Sequence, residues 1–113
     1  MNFINQTALF AWVWRNRKHE CEVCKDPLLR PEIWYFAHIL GKGAYPFFKL
    51  RAKNIAIMCD TCHGEYDHTD RWATSSMFDG IKKRRQRLME QYNWYFKNDL
   101  VILTRINNIF RKL

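Results

Sequence analysis

Cys21 and Cys24 form one C-x-x-C pair, Cys59 and Cys62 form a second, and His63 follows directly on the last thiol. Four thiolates so spaced match the donor set of a closed, tetrahedral structural zinc site. The 34 residues between Cys24 and Cys59 exceed the roughly 15 to 20 of a simple zinc ribbon, which leaves room for a hairpin between the pairs. Two independent disulfides or free buried thiols are the competing readings. Close pairing without a secretory signal favours metal over both.

His38 and Asn54 lie between the cysteine pairs. Cutting a phosphodiester requires a base that deprotonates water and a cation that offsets charge on the phosphate and its leaving oxygen. Histidine suits the first task because its unperturbed pKa is near neutrality. A divalent ion suits the second. Taken alone, His38 reads as a half-buried structural histidine, His63 as a fourth zinc ligand or a surface residue, and Asn54 as a turn residue.

From Cys21 to about His68 the chain resembles an HNH endonuclease of the ββα-metal type, in the treble-clef-like branch pinned by a four-cysteine zinc. The resemblance lies in the order of cysteine pair, strand histidine, asparagine before a helix, and second cysteine pair with a ligand after it. It implies His38 as general base, His63 as ligand of a catalytic Mg²⁺ or other divalent ion, and Asn54 as the residue fixing the His38 loop and ring. It also implies DNA as substrate and products with 5′-phosphate and 3′-hydroxyl ends. Many family members carry Asp or His immediately before the base, where this chain has Ala37, so Asp67 is the candidate second ligand and His68 a less favoured one. Small stand-alone HNH proteins of this shape resemble phage or mobile-element nucleases. That leaves open a homodimer or a larger phage nuclease assembly. The alternative from another class is a non-catalytic zinc module that binds nucleic acid or a protein partner.

The chain has 113 residues, and its 48% apolar content is enough for one small core, to which a structural metal adds support. A formal charge of +8 points to an acidic partner, nucleic acid first. Residues 82–113 hold nine Lys and Arg against Glu90 and Asp99, which is +7 of that +8. Lys82, Lys83, Arg84, Arg85 and Arg87 are therefore expected to meet phosphates. Lys42, Lys49, Arg51 and Lys53 are expected to add positive charge beside the site. The apolar run Ala8 to Trp14 has no basic segment before it and is too short to span a membrane, so a cytoplasmic protein without a membrane partner is expected.

These residues need a frame, and the expected fold class is α+β in a single domain. Residues 1–20 would form an N-terminal helix capped by Thr7, 21–68 a zinc-bound HNH core, and 69–113 a connection and basic helical extension. Ile33 to Leu40 reads as a strand that alternates Trp34, Phe36 and His38 on one face with Tyr35, Ala37 and Ile39 on the other. Gly41-Lys42-Gly43 reads as a turn, Tyr45 to Lys53 as loop, and Ile55 to Met58 as a short buried strand pairing with the first. Asp60 is the expected N-cap of a helix that puts His63 and Asp67 on one face and turns His68 away. Asp79 is an expected cap for a helix from Ile81 to Phe96 with Ile81, Leu88, Tyr92 and Tyr95 inward. Trp94, Tyr95 and Phe96 read as core. Asn98-Asp99 is expected to break that helix before a last one carrying Leu100, Leu103, Ile106 and Phe110.

Overall fold

The computed structural model describes residues 2–111, with side chains described through Lys97. It is an α+β structure of one two-stranded antiparallel sheet and four helices. Helix α1, Gln6–Asn16, is capped by Asn5, whose side-chain oxygen accepts from Ala8 N at 2.9 Å. Thr7, the expected cap, lies inside the first turn instead. Leu9, Phe10 and Val13 form the buried stripe of α1.

The sheet pairs β1, Phe36–His38, with β2, Ile55–Ile57, in the register Phe36 to Ile57, Ala37 to Ala56 and His38 to Ile55. Flanking bonds from Ile39 N to Asn54 O and Met58 N to Tyr35 O extend the pairing by a residue at each end. The strand is shorter than expected because Ile33–Tyr35 form a 3₁₀ turn. That turn has a consequence for the site, since it frees the carbonyl of Trp34 from the sheet to accept from His63 Nδ1.

Both faces of this small sheet are covered, which is why β2 is apolar at every position. On one face Phe36, Ile55 and Ile57 pack with Leu9, Phe10 and Val13 of α1. On the other, Ala37, Ile39, Ala56 and Met58 share a core with Phe48, Cys62, Tyr66, Phe78, Ile81 and Leu88. Ala37 and Ala56 face each other across the strands with no exposed surface. The position before His38 thus belongs to the apolar core in this chain.

Helix α2, Asp60–His68, starts from Cys59 as N-cap, with Asp60 as its first residue, where a carboxylate complements the helix dipole. The expected Asp60 cap is displaced by one residue, because Cys59 O already accepts from His63 N. The connection after α2 contains the one-turn helix α3, Arg71–Thr74, and a 3₁₀ turn, Ser76–Phe78, capped by Ser75. Asp79, expected as a cap, is the first residue of α4, Asp79–Arg111. No break occurs at Asn98-Asp99. Neither residue costs a helix more than about 0.7 kcal/mol, and no glycine or proline follows Gly80 to stop it.

Ile81 and Leu88 of α4 are buried, as expected, and Tyr92 and Tyr95 pack on the aromatic loop through Tyr45, Phe48 and Phe47. Trp94, Tyr95 and Phe96, expected in the core, are 61%, 38% and 55% exposed. The stripe Leu100, Leu103, Ile106 and Phe110 lies outside the described side chains. Among the described residues no helix is long and apolar enough to cross a membrane.

Candidate metal centre and catalytic cleft

The four thiols converge. One Sγ from each of Cys21, Cys24, Cys59 and Cys62 lies within 4.8 Å of the others, and Cys24 Sγ is 3.7 Å from Cys59 Sγ. A tetrahedral ion with bonds of about 2.3 Å places its sulfurs about 3.8 Å apart, so the cluster fits a metal ion such as zinc. The pair at 3.7 Å is far beyond a disulfide bond length of about 2.05 Å, and all four cysteines are free thiols.

The first pair sits in a knuckle closed by Lys25 in a left-handed conformation, φ 68°. Lys25 N bonds to Cys21 O, and the N–H groups of Val23 and Cys24 each donate to Cys21 Sγ at 3.4 Å. Burial raises the Cys21 pKa, but these backbone donors outweigh it and the net shift is downward. Burial pushes Cys24 up to about 11 and drives Cys62 upward as well. Cys24 and Cys62 therefore resist becoming thiolates unless a cation neutralises the cluster.

Glu22, inside the knuckle, carries no sequence signal of its role, and it ties the metal centre to the sheet. Its backbone N donates to Ile57 O at 2.7 Å, and its carboxylate accepts from Ile57 N at 2.5 Å, Arg17 at 3.1 Å and Arg84 at 2.8 Å. Arg17 and Arg84 also donate to Ile55 O, and Arg17 to Ala52 O. Together the three side chains satisfy the outer edge of β2, whose polar backbone groups have no strand partner on that side.

His38 and His63 line the same cleft, a space of about 330 Å³ that also has Asp67, Lys42, Gly41 and Gln6 on its walls. His38 Nε2 lies 3.1 Å from Lys49 O. A carbonyl only accepts, so Nε2 carries the hydrogen, and Nδ1 is the acceptor nitrogen with no hydrogen bond among the described residues. Burial lowers the His38 pKa below the usual imidazole value, the Lys49 carbonyl partly offsets it, and the Lys42 charge adds to the lowering. His38 is thus held as the free base at neutral pH.

The Asn54 side chain makes no hydrogen bond to either histidine. It is fully buried, accepts from Leu40 N at 2.7 Å, and donates to Leu40 O at 3.0 Å and Phe48 O at 3.3 Å. Those bonds bring the two ends of the loop after β1 together. The loop in turn supplies the Lys49 carbonyl on which the His38 ring rests.

His63 Nδ1 donates to Trp34 O at 2.5 Å, and Nε2 lies 2.9 Å from Asp67 Oδ2. The i, i+4 spacing on α2 accounts for the second pairing. Two ligands bound at about 2.1 Å in adjacent octahedral positions stand about 3 Å apart, which is the spacing of this N/O pair. His68 ends α2 on the exposed side and does not line the cleft.

The fold divides the basic residues. Lys42, Lys49, Lys53, Lys83 and Arg87 are exposed. Lys82 pairs with Asp79 at 3.1 Å, and Arg51 stacks on Phe47 with its guanidinium carbon 4.1 Å from the ring centroid. Arg84 and Arg85, expected at the phosphate surface, turn inward. Arg84 binds Glu22 and two carbonyls, while Arg85 donates to Ile39 O at 2.9 Å and to the Tyr66 hydroxyl at 3.2 Å and lies over Trp72. Ile39 O also accepts from Tyr66 OH, so the end of β1 next to His38 is doubly held. A charge run read along the chain could not reveal which guanidinium groups these strand-end carbonyls would take.

No family model, curated protein or solved structure matches the chain.

Proposed function

We propose that the chain is a metal-dependent HNH-type endonuclease that hydrolyses DNA phosphodiester bonds on a zinc-pinned ββα-metal core. The observation that carries this reading is the shared cleft, in which a neutral imidazole with a free Nδ1 stands beside the His63 and Asp67 donor pair. In this mechanism His38 Nδ1 takes a proton from the attacking water. The Lys49 carbonyl holds the ring and stabilises the imidazolium that forms. His63 and Asp67 would hold the divalent ion, with the Trp34 carbonyl fixing the tautomer and tilt of His63. When bound, that ion supplies Lewis-acid charge to the scissile phosphate and leaving oxygen. Lys42 lines the cleft and meets phosphate charge directly. The cysteines take no part in the chemistry and pin the frame through zinc. The reading of the paired cysteines as metal ligands and the resemblance to phage nucleases support action in a host cytoplasm.

The test is nicking of supercoiled plasmid in Mg²⁺ or Mn²⁺ by wild type and His38→Ala, with zinc content measured in both. Nicking by wild type that drops by about 10² or more in the variant at equal zinc supports the enzyme. Equal behaviour of the two overturns it and leaves a zinc module that binds nucleic acid or a protein partner.

A further inference from the structure

We propose that an apolar groove adjoining the catalytic cleft holds an unstacked nucleobase, so that the favoured substrate is DNA with an unpaired or branched strand. This rests on the nuclease reading above and names the substrate class for the same site. The groove has a volume of about 310 Å³ and runs between α1 and the segment leading into β1. Gln6, Phe10, Ile33 and Phe36 line both this groove and the cleft of His38, so the two spaces adjoin.

The walls suit a base and little else in a nucleotide. Phe10 and Phe36 stack with ring centroids 4.5 Å apart and planes 9° from parallel, and they border both spaces. Ile33 is 72% exposed and has no place in either core cluster. Half-buried Trp14 and the small, exposed Ala11 complete the apolar surface. Four polar residues also line the groove: Gln6 and Thr7, which make no side-chain hydrogen bond among the described residues and are free to meet a base edge, and the charged Arg15 and Glu32, the latter paired with Arg30 at 3.4 Å. Aromatic and aliphatic walls with a few polar groups at the rim are what a planar heterocycle with apolar faces requires.

Connectivity selects the occupant. A base and its phosphate share one sugar, so a strand whose phosphate lies between His38 and Lys42 carries its neighbouring base to the mouth of the groove. In a regular duplex that base is paired and stacked, and extruding it costs a few kcal/mol. A strand already unpaired avoids that cost.

The experiment uses zinc-loaded His38→Ala protein, which separates binding from cleavage. Fluorescence anisotropy compares a thymidine oligonucleotide with an abasic oligomer of equal length and phosphate number, so the electrostatic contribution is matched. The base-bearing strand is expected to bind at least about fivefold more tightly, the low end for one base stacked on an aromatic surface. Adding Ala11→Leu fills the groove from an exposed helix position that tolerates leucine, and it is expected to abolish that ratio while circular dichroism and zinc content stay unchanged. Equal affinity for the two strands, or a ratio that survives Ala11→Leu, overturns the groove and leaves the nuclease reading standing. Binding of neither strand at low salt also overturns the groove, while the nuclease reading is decided by plasmid nicking.

Discussion

Asp67 Oδ2 stands 2.9 Å from His63 Nε2, while the other nitrogen of that ring is held by the Trp34 carbonyl. A neutral imidazole can donate to only one of these acceptors. The separation is that of two ligands of one ion, which is the role proposed for the pair. Since Ala37 lies in the core, Asp67 is the acidic group that the cleft offers for this purpose.

Asp67→Asn is expected to raise the Mg²⁺ concentration needed for half-maximal nicking by about 10- to 100-fold, because one anionic ligand is removed while the packing of α2 is kept. Zinc content should not change. An unaltered Mg²⁺ dependence would remove Asp67 from the ion site.

With His38 as the proposed general base, the acid limb of kcat/KM is expected to report its protonation. Burial lowers its pKa in the folded chain, so the limb is expected below the ordinary imidazole value of about 6.5, and activity should persist to more acid pH than a free histidine allows. Lys42→Ala removes a smaller contribution of the same sign and should move the limb upward. The same residue makes the fold acid-sensitive. Below about pH 6.5 the unfolded chain takes up the proton first, so the contribution of neutral His38 to stability falls as pH drops toward the folded value. A limb at or above the ordinary imidazole pH would contradict the assignment.

Asn54→Ala leaves Leu40 N and two carbonyls without their partner in a site with no exposed surface. Urea unfolding is expected to show a loss of about 2–4 kcal/mol, since an unsatisfied buried group bears its full desolvation cost. In whatever fraction remains folded, kcat should fall because the Lys49 carbonyl no longer holds its position. A loss below about 0.5 kcal/mol would mean that the aromatic side chains alone hold the loop.

Arg84 and the pair Lys83 and Arg87 should separate cleanly although they are neighbours in sequence. Arg84→Ala removes partners of Glu22 and Ile55 O, so it is expected to cost about 1–3 kcal/mol in urea unfolding, a range that allows for partial exposure. The double variant Lys83→Gln and Arg87→Gln should keep its stability and flatten the salt dependence of DNA binding by about one slope unit for each phosphate that is no longer neutralised. An unchanged salt slope would take this face of α4 out of the DNA surface.

Any single cysteine changed to serine should abolish stoichiometric zinc and cooperative thermal unfolding together. Binding to such a cluster supplies folding free energy on the order of 10 kcal/mol, more than a core this size has to spare. Retained cooperative unfolding without metal would show that the two apolar clusters suffice.

Features that depend on local chemistry and spacing are legible in the chain before any coordinates. The paired C-x-x-C knuckles, the apolar run of β2, the turn at Gly41 and the i, i+4 pairing of His63 with Asp67 are each set within a few residues. The remainder follows only from folding, because deciding partners lie far apart in the chain, 29 residues for His63 with Trp34 and 62 for Arg84 with Glu22. The carbonyl of Trp34 turns to His63 only because a 3₁₀ turn replaces the first half of the expected strand. Glu22, Arg17, Arg84 and Arg85 become parts of the frame only because the short sheet leaves backbone groups at Ile39, Ile55 and Ile57 unpaired. Periodicity tells which side chains are apolar, but the destination of a guanidinium is fixed by whichever unsatisfied carbonyls the folded edges present.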